Sequence, residues 1–307
     1  MAIAKTILFC FLLFTFVFFY KTAISAEPEV LHAVIDTNFI SLKKNPLANP
    51  LKGLLAQVGE LNVDGLIQYT LLLQPEDGMP ESGWPVIIFN HGFHSEPHKN
   101  GRRTIDGVSD RPGDYYRQIP QRFARKGFLV IAPDYRGHND SSGAEYTLQE
   151  SSPNWYARDV LGIIDKLQST GSANMDHLFM LGHSMGAEVT LLAAAALGDK
   201  LKGVSIWSAY VPKVTNSSVQ QPKLKASSQL DHLYGPINIH HSKNDLTTAF
   251  KGSVMIANRL DQLGKTGKLY SYLSANHLFT DDNLELAITR DTALFRHIML
   301  SQERPLD

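Results

Sequence analysis

Residues 177–198 read HLFMLGHSMGAEVTLLAAAALG. An apolar run of strand length, 177–181, breaks at Gly182-His183-Ser184-Met185-Gly186. An alanine- and leucine-rich helix candidate follows over 185–197 and stops at Gly198. Strand, tight turn and helix in direct succession, with serine at the centre of Gly-x-Ser-x-Gly, is an arrangement that lifts a hydroxyl clear of a sheet. The spacing has a physical reason. The serine backbone must take a sparsely populated conformation at the turn. Residues two before and two after it come too close for side chains, and both are glycine. Ala187 is small for a similar reason. The helix turns its positive end toward the serine and favours negative charge developing there. Ser184 is therefore the candidate nucleophile.

Outward from this stretch the chain alternates short apolar runs with amphipathic ones, the signature of βαβ units and a mostly parallel sheet. The strand candidates are 86–89, 128–132 (ended by Pro133), 177–181, 204–207, 237–240 and 269–273. One or two antiparallel strands are expected within 61–73. Helices are expected over 118–126, from Ser152-Pro153 onward, over 185–197, 251–263 and 283–301. In the second of these, Ser152 reads as a cap and Pro153 as the first helical residue. Tyr156, Val160, Ile163, Ile164 and Leu167 fall on one of its faces. Two polar stretches, 93–114 and 211–235, follow strands and read as loop or small-cap material at the carboxyl edge of the sheet, where ligands of such sheets bind.

A serine hydroxyl needs a base, and the base needs an acceptor to hold its tautomer. On this kind of sheet the chain order is serine, acid, histidine. Asp245 follows the strand 237–240, and His277 follows the strand 269–273, so Ser184, Asp245 and His277 satisfy the order. Asp231 is the rival acid, inside a polar segment before its strand. His297 is the rival base, in the last helix. The strand 86–89 runs into Asn90-His91-Gly92-Phe93. The backbone N–H groups of Phe93 and Met185 are the expected oxyanion donors. His91, His94 and His98 suggest a metal by composition, with only Glu96 as a nearby acid. The expectation is that no metal and no cofactor is bound.

The chain has 307 residues with 29 Lys+Arg against 30 Asp+Glu, a formal net charge of −1. That balance argues against a nucleic-acid partner. The one cysteine, Cys10, excludes an intramolecular disulfide and a thiolate zinc site. Residues 1–26 read as a secretory signal peptide: Lys5, an apolar run over 6–20, then Ala23, Ser25 and Ala26 around the cleavage point. The expected organisation is a signal peptide over 1–26 and one domain over 27–307. The product would be secreted or periplasmic, with no stable membrane span once the signal is removed.

With these residues in place the chain resembles the α/β-hydrolase superfamily, and within it the branch of dienelactone hydrolases and prolyl oligopeptidase catalytic domains. The matching stretches are PVIIFNHG (85–92), GFLVIAPDYRGH (127–138), GHSMG (182–186), PINIHHSKND (236–245) and YLSANHLF (272–279). They occur in the family's order across nearly all of 60–300. The family's nucleophile, acid and base correspond to Ser184, Asp245 and His277. Ser242 stands where the family usually has glycine, and Asn139-Asp140-Ser141 follows His138 where it often has Gly-x-Ser. The resemblance implies an α/β-hydrolase fold with a small or minimal cap, and a serine hydrolase. The favoured substrate is a small ester, cleaved as by a carboxylesterase. A small peptidase or acyl-peptide hydrolase is the alternative, with Arg102, Arg103 and Arg111 available as a carboxylate clamp. A catalytically silent binding protein on the same fold is the alternative of another class. The polar residues Asn216, Ser217, Ser218, Gln220, Gln221, Lys223 and Lys225 offer no broad apolar face for a long acyl chain.

Overall fold

A computed structural model describes residues 41–45, 47, 52–100, 109–113, 115–211, 229–273 and 276–302. These belong to one compact unit, Leu31–Asp307. The stretch 1–26 that reads as a signal peptide, Cys10, Arg102, Arg103 and the polar residues of 216–225 lie outside the described residues.

Nine strands among the described residues form one sheet. They are β1 (Ser41–Lys44), β2 (Leu54–Val63), β3 (Leu66–Pro75), β4 (Trp84–Asn90), β5 (Leu129–Asp134), β6 (Ala173–His183), β7 (Gly203–Trp207), β8 (Ile237–Ser242) and β9 (Gly267–Tyr272). Their order across the sheet is β1-β2-β3-β5-β4-β6-β7-β8-β9. The first three strands and the β3–β5 contact are antiparallel. From β5 onward every pairing is parallel. Five α-helices among the described residues pack on this sheet: α1 (Gln118–Arg125), α2 (Ser152–Leu167), α3 (Met185–Leu197), α4 (Phe250–Gln262) and α5 (Asp281–Gln302). This is the α/β-hydrolase architecture.

Strand alternation divides the core. Val86 and Ile88 of β4 face a cluster with Tyr156, Val160 and Ile163 of α2, Val189 and Leu192 of α3, and Ile256 and Leu260 of α4. Ile87 and Phe89 face the other cluster, with Ile119 and Phe123 of α1 and Ile288 and Phe295 of α5. Both faces of β4, β5, β7 and β8 are covered, which is why β4, β5 and β7 read as short, mainly apolar runs. The face expected for α2 is buried throughout.

Two expectations need correction, while the antiparallel strands expected within 61–73 are present. Pro133 does not end its strand: β5 runs to Asp134, with Thr70 opposite Pro133. Parallel pairing with β4 stops at Ile131, so only one neighbour remains to be satisfied there. Ser152 does not cap α2. Its hydroxyl donates to the Tyr146 carbonyl at 2.7 Å and accepts the Gln149 N–H at 2.9 Å, tying down the preceding turn. The stretch 61–73 belongs to a long hairpin of ten-residue strands, β2 and β3, turned at Asp64 and Gly65, both at positive φ.

Candidate active site

Ser184, Asp245 and His277 follow β6, β8 and β9, three parallel strands that end on the same edge of the sheet. Ser184 has φ 56° and ψ −120°, a strained conformation for a residue with a side chain. Its surroundings hold it there. Its N–H donates to the Trp207 carbonyl at 2.9 Å, and its carbonyl accepts the N–H groups of Ala187 and Tyr210 at 3.1 and 3.2 Å. A side chain at Gly182 would fall on the Gly186 carbonyl, and one at Gly186 on the carbonyls of Asn90 and His91. The turn is thus pressed against the end of β4, where the Gly92-Phe93 backbone begins.

Asp245 and His277 are brought together, with Nδ1 of His277 2.8 Å from Oδ2 of Asp245. Thr247 and Thr248 donate their backbone N–H groups to Oδ1 of the same carboxylate at 2.7 and 2.9 Å. Burial works to raise the Asp245 pKa, but the bonds from His277, Thr248 and Thr247 outweigh it and hold it at about 2. An ionised carboxylate only accepts, so His277 turns an Nδ1 proton toward it, and in the neutral ring the lone pair then falls on Nε2. That is the tautomer a base requires.

The rivals lie elsewhere. Asp231 is exposed beside His232, 3.7 Å from its ring nitrogen. His297 is exposed on α5. The three loop histidines do not converge. His91 is buried with its ring 4.3 Å from that of Tyr135, while His98 is exposed and Glu96 pairs with Lys99. Among the described residues, no group of three or more His, Cys, Asp or Glu side chains is placed to hold a metal. Arg111 is no surface clamp. It is buried, bonded to Asp134 at 2.5 Å and to Asp140 at 2.9 Å.

Phe93 and Met185 line one cavity of about 340 Å³. Pro97, His138, Leu148 and Tyr156 contribute further to its wall. Its size falls within the roughly 300–1,000 Å³ of small-molecule sites. His138 is kept neutral by burial, which drives its pKa well down, helped by the nearby His91.

Sequence reasoning did not single out Tyr116, His183 or Asp291, all buried polar residues near these strand ends. His183 occupies the free position before the serine in Gly-x-Ser-x-Gly, and a polar residue in that buried slot was the available signal. Asp291 lies within the apolar periodicity of α5, where a carboxylate without a partner would be costly.

A family described as serine aminopeptidase, S33, matches residues 105–229. An uncharacterized peptidase, YtmA, of Bacillus subtilis (strain 168) is 22% identical over 179 residues, covering 52% of this chain and 68% of that protein. Monoglyceride lipase of Rattus norvegicus is 25% identical over 154 residues, 49% of each chain. The structure of an acylaminoacyl peptidase from Pyrococcus horikoshii superposes with a TM-score of 0.60 at 18% identity, covering 83% of this chain and 42% of that one. The chain therefore spans about half or less of two of these three proteins. The fold is that of the α/β-hydrolases, and the proteins the chain is similar to are hydrolases, peptidases and lipases among them.

Proposed function

We propose that the chain is a carboxylesterase acting on small esters, with Ser184 as nucleophile, His277 as base and Asp245 as the acid that orients it. The observation that carries this reading is the pairing of His277 with Asp245 at 2.8 Å, on the sheet edge that holds Ser184 at its strained turn. In the proposed reaction, Nε2 of His277 takes the Ser184 proton as the hydroxyl oxygen attacks the acyl carbon. The backbone N–H groups of Met185 and Phe93 receive the oxyanion. The tetrahedral intermediate collapses, His277 returns the proton to the leaving alcohol, and an acyl-enzyme remains. Water, deprotonated by His277, then releases the acid and restores Ser184.

The cavity beside Phe93 and Met185 supports a small ester. Its wall mixes Leu148 and Tyr156 with His138, Gln149 and Glu150, and its volume of about 340 Å³ suits a compact group. Peptide cleavage is the second reading, favoured by the family match over 105–229 and by the peptidase relatives. The locked position of Arg111 weakens it, since that guanidinium is already committed to Asp134 and Asp140. We further propose that residues 1–26 direct export, with the mature chain beginning at Ala26 or Glu27. The N-terminal sequence of the exported protein tests that. The activity is tested by kcat/KM on acetyl, butyryl and dodecanoyl esters and on aminoacyl anilides. The highest value is expected for a short ester, and preference for the anilides would establish the peptidase reading instead.

A further inference from the structure

We propose that Tyr116 and His183 form a positioning bridge, which ties the Gly92-Phe93 turn to the backbone of His277 and so aligns the base with Ser184. The inference rests on the reading of Ser184 and His277 given above.

Tyr116 lies just before α1 and is buried. Its Oη is 2.9 Å from the Gly92 N and 2.6 Å from Nδ1 of His183. Nε2 of His183 is 2.9 Å from the His277 carbonyl, which Ser208 also meets through Oγ at 2.7 Å. Each proton in this chain has one assignment. A carbonyl only accepts, so His183 bears its proton on Nε2. Its Nδ1 then offers a lone pair, which the Tyr116 hydroxyl must fill by donating. The Tyr116 oxygen in turn accepts the Gly92 N–H.

Burial, reinforced by the adjacent His277, holds the His183 pKa at about 3, while Asp245 acts in the opposite direction. The bridge therefore keeps this pattern through the neutral range. The ring of His183 lies 4.6 Å from that of His277 and 5.4 Å from that of Tyr116. A Cβ on Gly92 would collide with Tyr116 Oη and sit 3.2 Å from Cβ of Ser184. Three parts of the chain, at Gly92, Tyr116 and His183-Ser184, meet in this one contact.

Two consequences follow for the chemistry. The Gly92 N–H is already spent on Tyr116, which leaves Phe93 as the next N–H of that turn for an oxyanion. His277 is held at two points, its ring by Asp245 and its backbone by His183 and Ser208. Loss of the bridge leaves the His277 carbonyl to Ser208 alone and so loosens the backbone point, while the Asp245 pairing and the Ser184 turn stay intact. The defect should be greatest where His277 must deliver a proton accurately. An alkyl ester needs that proton on its departing alkoxide, whereas nitrophenolate leaves without it.

The test compares Tyr116→Phe with the wild-type chain on ethyl butyrate and p-nitrophenyl butyrate. The expected result is a kcat/KM loss about tenfold greater on the ethyl ester, carried by kcat with KM little changed. His183→Gln retains an N–H donor toward the His277 carbonyl and is expected to lose less than His183→Ala. Equal losses on the two esters, or no loss, would overturn the proposal. A second measurement does not depend on turnover. Nitrogen-15 NMR of the wild-type histidines is expected to show His183 neutral with its proton on Nε2 from about pH 5 to 8. An imidazolium or an Nδ1–H form in that range would also overturn it. Failure of the functional reading looks different: the wild type would hydrolyse neither ester, or Ser184→Ala would hydrolyse both, and the bridge would lose its role with it.

Discussion

Nδ1 of His277 lies 2.8 Å from Oδ2 of Asp245, and the same carboxylate accepts the N–H groups of Thr247 and Thr248. The carboxylate is thereby fixed as an anion and as an acceptor. Asp245→Asn keeps the shape but can turn an amide N–H toward His277, which forces the wrong tautomer. A comparable change in another serine triad costs about 10⁴ in kcat. A loss of that order is expected here, while Asp231→Asn, at an exposed position beside His232, should leave kcat close to wild type. Steady-state kinetics of the two variants check this, and the reverse ranking would move the acid to Asp231.

Stability should fall as the medium is acidified through the histidine range. Burial first lowers the pKa of His91 to about 4 and of His183 to about 3, and it also depresses His138 and His241. In the unfolded chain each titrates near the ordinary value of about 6.5. Between the folded and unfolded values the unfolded state binds more protons, so stability rises with pH there and is lost as pH falls. It is fully present above about pH 6.5, and each histidine can remove at most about 1.4 kcal/mol per pH unit below that. Calorimetry should show a melting temperature that drops by several degrees from pH 7 to pH 5. It should also show uptake of more than one proton on unfolding at pH 5. A flat melting temperature across that range would contradict this account.

Asp291 is predicted to matter for folding rather than for turnover. From α5 its buried carboxylate accepts the Trp207 indole N–H at 2.8 Å, the Ser205 hydroxyl at 2.7 Å and the Asn238 amide at 2.8 Å. His240 Nε2 lies 2.9 Å away. These bonds join α5 to β7 and β8. Asp291→Ala strands several buried donors at once, and the loss should be about 3 kcal/mol or more. Urea unfolding of the variant measures it, and a change below about 1 kcal/mol would show that the donors find other partners.

Much of the fold could be read before any coordinates because two periodicities agree with one motif. The runs at 86–89, 177–181 and 204–207 are buried on both faces except at His177 and apolar except at His177 and Ser205, so they stand out from the helices between them. Ser184 could be read because glycine at 182 and 186 is a steric necessity visible in the sequence. The loops that carry Asp245 and His277, which the structure brings together, could be located because each follows a strand. The hairpin of β2 and β3 was harder, since half-buried antiparallel strands give a weaker alternation. Pro133 misled because a proline ends a strand only where its missing N–H is needed. Arg111 read as a surface cation, and nothing local reveals that Asp134 and Asp140 enclose it. The Tyr116–His183 contact joins positions 67 residues apart and leaves no periodic trace.

Peptide substrates should be poor ones. An arginine clamp for a peptide carboxylate needs a free guanidinium, and Arg111, the candidate among the described residues, is committed to two carboxylates. Arg111→Lys is therefore expected to lower stability by breaking the planar pairing, without shifting the ratio of ester to anilide hydrolysis. Paired melting and kcat/KM measurements on the variant check this. A selective loss on anilides would give Arg111 a substrate role after all.

The most direct test of the central claim is active-site titration of wild type and Ser184→Ala with a fluorophosphonate, followed by short-ester hydrolysis. The account predicts one label per wild-type chain at Ser184, no label on the variant, and a rate loss on the order of a millionfold with an unchanged fold. Labelling at another serine, or variant activity above about a hundredth of wild type, would contradict it.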